Sequence, residues 1–351
     1  MVVRLSRHRL LTLFCGVLAA LTLTGPAVAA PVNTPSSTTA DRPAAAAGWL
    51  ARQLVDGERF EAVFDGVAYP DQGLTLDAVL AFAAAGVADD SGARALAWVS
   101  RPDVRDGYLG DGVTEAYAGA TAKLALAVQV RGADPTAVGG VDLIARLRGL
   151  QAPSGRFTDR SAWGDYSNTF SQSFALLTLA RTTSGVPADA AGYLAGIRCA
   201  DGGFPVVPEQ PVCASDVDAT ALAVQALRAA GRSTEATAGL RWLVSVQGTD
   251  GGFRNSGGVA NANSTGLAAQ ALAAGGRTLA WARARGFLAG LQVCCTGAPA
   301  DRGAVDYDGG TFDPATATRA TAQAVLGLAG VGYAQLTAAG AASGEPELVC
   351  P

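Results

Sequence analysis

The chain has 351 residues, a formal charge of -4 and 16% charged side chains. Its acidic balance argues against nucleic acid as a partner. Its single histidine, His8, lies in a segment that is typical of a cleaved leader. The mature chain then has no imidazole, which excludes Ser/His/Asp hydrolysis, Cys/His chemistry and zinc sites that need histidine.

The first 29 residues have the pattern of a secretory signal peptide. Arg4, Arg7 and Arg9 precede an apolar stretch, and small residues follow it up to Ala29. A membrane anchor is the alternative, but the apolar run is shorter than the ~20 residues that span a bilayer. We therefore expect an exported, extracellular protein with no membrane span after signal removal. Residues 30–43, rich in proline, serine and threonine, predict a disordered linker.

An aromatic residue after a glycine turn recurs through the rest of the chain. The phrase is clearest at 240–253, LRWLVSVQGTDGGF. The glutamine is expected to bind free carbonyls at the helix end, and the glycines to adopt positive φ. The recurring aromatic positions are Phe60, Tyr108, Phe157, Phe204, Phe253 and Phe312, at intervals of 48, 49, 47, 49 and 59 residues.

Each copy pairs an amphipathic helix before the turn with an alanine-rich, apolar helix after a loop. The first type predicts a half-exposed outer helix, and the second predicts a helix that is buried on every side. Asp216 or Asp218, Asn263 and Asp313 are expected as N-caps of the second type. Six such pairs can bury their inner helices by closing into a ring, whereas an open solenoid leaves its end helices wet. We therefore predict an all-α fold, an (α/α)6 toroid over residues 44–336, followed by a C-terminal tail at 337–351.

The repeated phrase resembles the repeats of squalene-hopene cyclases and protein prenyltransferase β-subunits. This resemblance implies the same toroid, which terpene cyclases, prenyltransferases, cobalamin carriers and complement thioester domains share. Several branches are excluded by missing residues. The zinc-binding histidine of prenyltransferases and the GCGEQ of thioester domains are absent, and Asp89-Asp90 lacks the third carboxylate of DDxxD. The fold alone does not determine function.

One short motif survives this comparison. Residues 215–221, SDVDATA, are similar to the DxDD of class II terpene cyclases, whose central aspartate protonates an alkene. The resemblance makes Asp218 the catalytic acid with Asp216 beside it. Ala219 stands where the motif requires its last acid, which weakens this interpretation. The alternative role for these aspartates is helix capping.

The loops between outer and inner helices are expected at one end of the ring, together with all six N-termini of the inner helices. They carry aromatic and polar residues, which predict a ligand site there. The rim residues that we predict to bind the ligand are Tyr69, Asp71, Trp163, Tyr166, Asn263 and Tyr307.

Two functions remain open from the sequence. The first, which we favour, is a non-enzymatic binder of a small, partly apolar ligand that is terpenoid-, corrin- or sugar-like. The second is a reduced class II cyclase that uses Asp218. Neither requires a cofactor or a metal. A purely structural role at the cell surface has no positive feature in the sequence.

The cysteines fit an oxidising compartment. Cys199 and Cys213 flank the fourth glycine turn, and a disulfide between them would close its loop. For Cys294, Cys295 and Cys350 two pairings stay open. Either Cys350 joins one of the adjacent pair or the adjacent pair joins.

Overall fold

A computed structural model of the protein describes residues 38–350. The signal-peptide prediction, and the linker prediction up to residue 37, lie outside the described residues. The linker boundary was placed too late, because the first helix begins at Arg42 with a proline in its first turn. Residues 38–39 form a short strand that pairs with residues 347–348 near the other end of the chain.

Helices of two kinds alternate along the chain. The inner helices are α2 (Gln72–Ala85), α5 (Ala118–Val130), α7 (Thr169–Leu179), α9 (Val217–Ala229), α11 (Ala262–Ala274) and α13 (Pro314–Ala329). The outer helices are α1 (Arg42–Arg52), α3 (Asp89–Val99) with α4 (Pro102–Leu109), α6 (Leu143–Arg148), α8 (Ala188–Gly196), α10 (Ser233–Val246) and α12 (Thr278–Leu291). The remaining elements are a 3-10 turn (Pro299–Asp301) and the strands β1 (Thr38–Thr39), β2 (Glu61–Phe64), β3 (Val67–Pro70) and β4 (Glu347–Leu348).

The inner helices form a closed ring. Each packs against the next in chain order, and α13 packs against α2. Their composition explains this arrangement, because alanine and leucine allow close approach on all sides; α2 is buried from Leu74 to Ala83 without interruption. The predicted all-α toroid is confirmed, and the open solenoid is wrong.

The outer layer closes at the seam between the last repeat and the first. The side chain of Gln292, after α12, donates to the carbonyl oxygens of Arg42 at 3.0 Å and Gly303 at 3.1 Å. Arg42 returns hydrogen bonds to the side chain of Gln292 and to the carbonyl of Ala289. The repeat glutamine therefore joins neighbouring outer helices, and at this position it joins the two ends of the ring.

The aromatic of the repeated phrase is a core residue. Phe60, Phe157, Phe204 and Phe253 are buried. Their backbone N–H groups donate to a side chain one turn inside the following inner helix, as Phe253 does to Thr265 at 2.9 Å. The residues at this helix position are Thr75, Gln172, Thr220, Thr265 and Thr321, with Thr121 at the corresponding position of α5.

Two of the predicted aromatic positions were wrong. In the second repeat Leu109 takes the core position. Its carbonyl oxygen accepts a hydrogen bond from the N-cap residue of the next inner helix, as the carbonyl oxygen of Phe60 does in the first repeat. Tyr108 lies inside α4 instead. In the sixth repeat Val305 takes the position, because its N–H donates to Thr321. Phe312 packs against the ring of Trp49.

The predicted N-caps are correct at two positions of three. The side chains of Asp216 and Asp313 accept hydrogen bonds from the first turns of α9 and α13. In α11 the N-cap is Asn261, so the prediction of Asn263 was wrong. Asn263 lies inside the helix, in the same position as Asp218 in α9.

Two disulfides cross-link the described chain. Cys199 pairs with Cys213, as predicted, and Cys295 pairs with Cys350. The second pairing resolves the alternatives that the spacing left open. Cys294 is exposed and forms no disulfide with another described cysteine. Within residues 38–350 no helix is both long enough and apolar enough to cross a membrane.

Candidate functional site

The N-termini of the inner helices lie at one end of the ring, together with the loops. The N-terminus of α5 receives the side chain of Asp159 from the third loop. Thr169 at the start of α7 donates to the carbonyl of Pro205 in the fourth loop, and Ala262 at the start of α11 donates to Tyr307 in the sixth. Each inner helix therefore begins beside the loop of the following repeat, which defines a loop face.

The Thr or Gln position that aligns the six repeats also identifies the residues that face the ring axis. The residues two positions before the Thr or Gln form a set that we call the upper ring: Gly73, Gly119, Phe170, Asp218, Asn263 and Arg319. The residues two positions after it form a set that we call the lower ring: Asp77, Lys123, Phe174, Leu222, Leu267 and Gln323.

Burial separates these two sets. All six residues of the upper ring are partly or fully exposed, whereas most of the surrounding inner-helix surface is buried. These residues stand within the first two turns of the inner helices, so their exposure opens at the loop end of the ring. In the lower ring only Lys123 and Gln323 keep intermediate exposure. We call the exposed centre of the loop face, from the upper to the lower ring, the axial depression.

The depression is shallow. Four residues of helix separate the two rings, which is about 6 Å along the axis. From the opposite end the C-terminal segment inserts Tyr333, 2% exposed, whose ring packs edge-on against Phe174 at 5.7 Å between centroids. Its backbone N–H donates to Gln225, and Arg181 binds its carbonyl. Tyr333 thus closes the floor of the depression.

One wall of the depression carries paired charges. The Lys123 ammonium lies 2.7 Å from a carboxylate oxygen of Asp77 and donates to the carbonyl of Gly73 at 2.9 Å. Arg319 lies 2.7 Å from Asp71 and 3.9 Å from Asp77. Two carboxylates are therefore paired with two cationic side chains where α13, α2 and α5 meet.

Sequence reasoning identified only Asp71 in this cluster. Asp77 and Lys123 sit in apolar helices that read as core, and Arg319 reads as a surface residue. The available signal was Lys123, because a lone lysine within an alanine- and leucine-rich buried helix requires a partner.

Tyr108 faces the same charged wall. Burial raises the pKa of its hydroxyl well above the ordinary value, and the negative charges of Asp77 and Asp71 raise the pKa further. The same residue was predicted as a repeat aromatic. With Leu109 in the core position, the hydroxyl of Tyr108 lies beside Gly73 of the upper ring, 4.0 Å from the point that a Cβ there would occupy.

The opposite wall contains Asp218, which has no ion-pair partner among the described residues. Burial raises its pKa from the usual 3.8 to about 6; a hydrogen bond from Ser264 opposes this rise, and the charge of Asp216 adds to it. One carboxylate oxygen is fully buried and accepts no hydrogen bond from a described residue. Asp216 itself serves as the N-cap of α9 and accepts from the N–H of Ala219 at 2.9 Å.

The predicted rim residues divide into three groups. Trp163 and Tyr166 are 80% and 72% exposed on the third loop, and Tyr69 packs at a tilt against Phe64 in the β2–β3 hairpin. Asp71 and Asn263 lie at the depression itself. Tyr307 is half-buried, and its hydroxyl accepts from Asn255 of the neighbouring loop at 3.0 Å. The loop face therefore combines exposed aromatic surface with a polar centre.

This arrangement offers anchoring groups more than reactive ones. Asp218 is a carboxylic acid with a pKa near neutrality, the property required of a proton donor. Asp77 is already engaged by Lys123. Among residues 38–350 no group of three or more His, Cys, Asp or Glu side chains is placed to hold a metal ion.

Solved structures share this architecture. A protein from Actinoplanes matches 82% of this chain and 98% of its own, with a TM-score of 0.59 and 16% sequence identity. The apo type II terpene cyclase MstE from Scytonema matches 82% and 96%, with a TM-score of 0.60 and 16% identity. A glycosidase matches 83% and 98%, with a TM-score of 0.56 and 13% identity.

No protein-family model and no curated protein matches the chain. Identities of 13–16% to the solved structures establish the fold and not the activity. The chain has the α/α toroid fold of the terpene cyclases.

Proposed function

We propose that the protein is an exported, non-enzymatic toroid that binds a small, partly apolar ligand at its loop face. The observation that carries this proposal is the contrast between the exposed upper ring, which lies among exposed aromatic loops, and the lower ring, where Tyr333 packs on Phe174. The axial depression is deep enough to hold one end of a ligand. The rest of the ligand would lie on the side chains of Trp163, Tyr166 and Tyr69.

Export is supported by two features. The leader segment at residues 1–29 predicts secretion, and the two disulfides are compatible with an oxidising compartment. The ligand class remains as the sequence left it, terpenoid-, corrin- or sugar-like. An MstE variant is known in complex with geranylgeranyl dihydroxybenzoate, and a glycosidase variant in complex with glucose.

Two observations favour binding over cyclisation. A cyclase stabilises carbocations on aromatic faces, but the Phe174 ring already has the Lys123 ammonium 5.9 Å from its centroid. The motif also lacks its last acid, since alanine stands at position 219, where it is fully buried.

The test is native mass spectrometry of protein purified from culture medium, with and without denaturation. We expect a copurifying small molecule in the wild type and a reduced amount in Trp163→Ala. Leu279→Ala is the matched control, since Leu279 is 84% exposed on outer helix α12. Bare wild-type protein in repeated preparations contradicts the proposal, as does equal loss of ligand in both variants.

A second candidate is a reduced class II cyclase. The raised pKa of Asp218 and its place in an axial depression favour it, because alkene protonation needs a carboxylic acid that stays protonated. This candidate predicts turnover of squalene or a prenyl diphosphate that Asp218→Asn abolishes. Wild-type protein that converts none of several isoprenoids rules it out.

A further inference from the structure

The charges that line the axial depression do not balance. Asp71 and Asp77 are matched by Arg319 and Lys123 at 2.7 Å each. Asp218 is the fifth charged group, and no described lysine or arginine lies within salt-bridge distance of it. A largely buried carboxylate without a counter-ion is unfavourable, because it has lost water without gaining a partner.

The surroundings of Asp218 offer it no cation. Helices α7 and α11 flank α9 in the inner ring, and neither carries a charged side chain. On the outer side α10 packs against α9; its acid Glu235 pairs with Arg232, and Arg241 of α10 is exposed. The one charged group that acts on the pKa of Asp218 is Asp216, which has the same sign.

The wall beside Asp218 also contains hydrogen-bond acceptors that have no donor within residues 38–350. A buried carboxylate oxygen of Asp218, the amide oxygen of Asn263 and the amide oxygen of Gln323 accept no hydrogen bond from any described residue. These side chains lie on α9, α11 and α13, three consecutive helices of the inner ring. Buried acceptors normally have a donor, so their common location indicates that a ligand supplies one.

The aromatic residues of the upper ring and the rim suit the apolar part of a cationic ligand. Phe170 stands in the upper ring on α7, next to α9, and Trp163 and Tyr166 are exposed above it. Aromatic faces attract cations and pack against hydrocarbon. The mature chain is acidic overall, so the approach of a cation is favoured at long range.

We infer that the axial depression takes the ammonium end of an amine ligand, with Asp218 as its counter-ion. An ammonium carries one positive charge and three N–H donors. It therefore supplies the positive charge that Asp218 lacks and N–H donors for the unpaired acceptors of this wall. A carboxylate or phosphate end would meet Asp218 with like charge, and a hydroxyl end would leave the charge unbalanced. This inference rests on the proposed binding function and specifies the chemistry of its ligand.

The test compares three probes of equal length: hexylammonium, hexanol and hexanoate. We expect calorimetric titration at pH 7.5 to give hexylammonium about a tenfold or larger advantage in Kd, the usual worth of a hydrogen bond to a charged group. The advantage should shrink at pH 5, where protonation of Asp218 with its pKa of about 6 removes the counter-ion.

Two variants localise the effect. Asp218→Asn should abolish the preference for hexylammonium, whereas Asp216→Asn should retain it, because asparagine is a good N-cap and Asp218 is intact. Circular dichroism checks that both are folded. Equal affinity for hexylammonium and hexanol overturns the inference, and so does a preference for hexylammonium that survives Asp218→Asn. Neither result contradicts the proposed binding function. Bare protein in the mass spectra removes the proposed function itself.

Discussion

Asp218 should make the protein less stable as the pH rises, and Asp218→Asn should remove that dependence. Burial raises the pKa of this carboxyl from the usual 3.8 to about 6 in the folded protein. Between these values the folded state binds more protons than the unfolded chain. A rise in pH therefore favours unfolding, so the stability that the protonated group contributes is complete below pH 4 and is lost through pH 6.

The size of the effect follows from the same two values. One pH unit between folded and unfolded pKa corresponds to about 1.4 kcal/mol. The separation at Asp218 therefore predicts that this group alone contributes a loss of about 3 kcal/mol to the free energy of unfolding between pH 4 and pH 8. Asparagine has a similar shape and no charge. The variant should accordingly gain about 3 kcal/mol relative to the wild type over that range.

Urea denaturation followed by circular dichroism at pH 4, 5, 6, 7 and 8 measures this difference. The value at pH 4 serves as the reference, since it contains any change in packing caused by the amide. Asp308→Asn removes a carboxylate from the exposed sixth loop and controls for the loss of a charge in general. A stability difference between Asp218→Asn and the wild type that stays constant with pH refutes the reasoning.

Three further predictions concern the repeats and the thiol. Gly251→Ala should destabilise the protein far more than Gly258→Ala, because both have positive φ but only Gly251 lacks space for a Cβ; thermal denaturation compares them, and equal shifts contradict the packing argument. Gln292→Ala should cost about 2 kcal/mol or more and Gln53→Ala less, since Gln292 satisfies two carbonyls, one of them across the seam; similar losses of stability in urea denaturation would contradict a special role of the seam. Cys294 should bind one equivalent of iodoacetamide without denaturant, and an unlabelled intact mass would contradict its exposure.

The ring was predictable because its cause is local and repeated. Four of the outer helices are followed by a glycine with positive φ and no room for a Cβ, namely Gly110, Gly155, Gly251 and Gly303. The structure thereby adds a reason for glycine that the sequence did not supply. Gly303 has φ +96°, and a Cβ there would lie 2.6 Å from the carbonyl oxygen of Ala45 in the first helix. Close approach of the next outer helix therefore selects glycine as strongly as the positive φ does. The same contact helps to close the ring.

The centre of the site was predictable only in part. The motif resemblance singled out Asp218, whereas the capping role was wrong for this residue, because Asp216 is the N-cap of α9. Periodicity could not place Tyr108, since a one-residue shift after Pro102 exchanges the roles of Tyr108 and Leu109. Tyr333 follows the last inner helix and reaches the axis through contacts with Gln225 and Arg181, which are remote in sequence. Local patterns contain no information about such contacts.

The two walls of the depression differ in a way that bears on function. If only the packing of the helices mattered, every charge near the axis would be paired or absent. The wall at α13, α2 and α5 meets this condition, because its charges are paired. The wall at α9 keeps Asp218 unpaired at a cost of about 3 kcal/mol above pH 6. Ser264 relieves this cost only in part. A group that destabilises the free protein and faces an open depression is best explained by a ligand that compensates for it when bound.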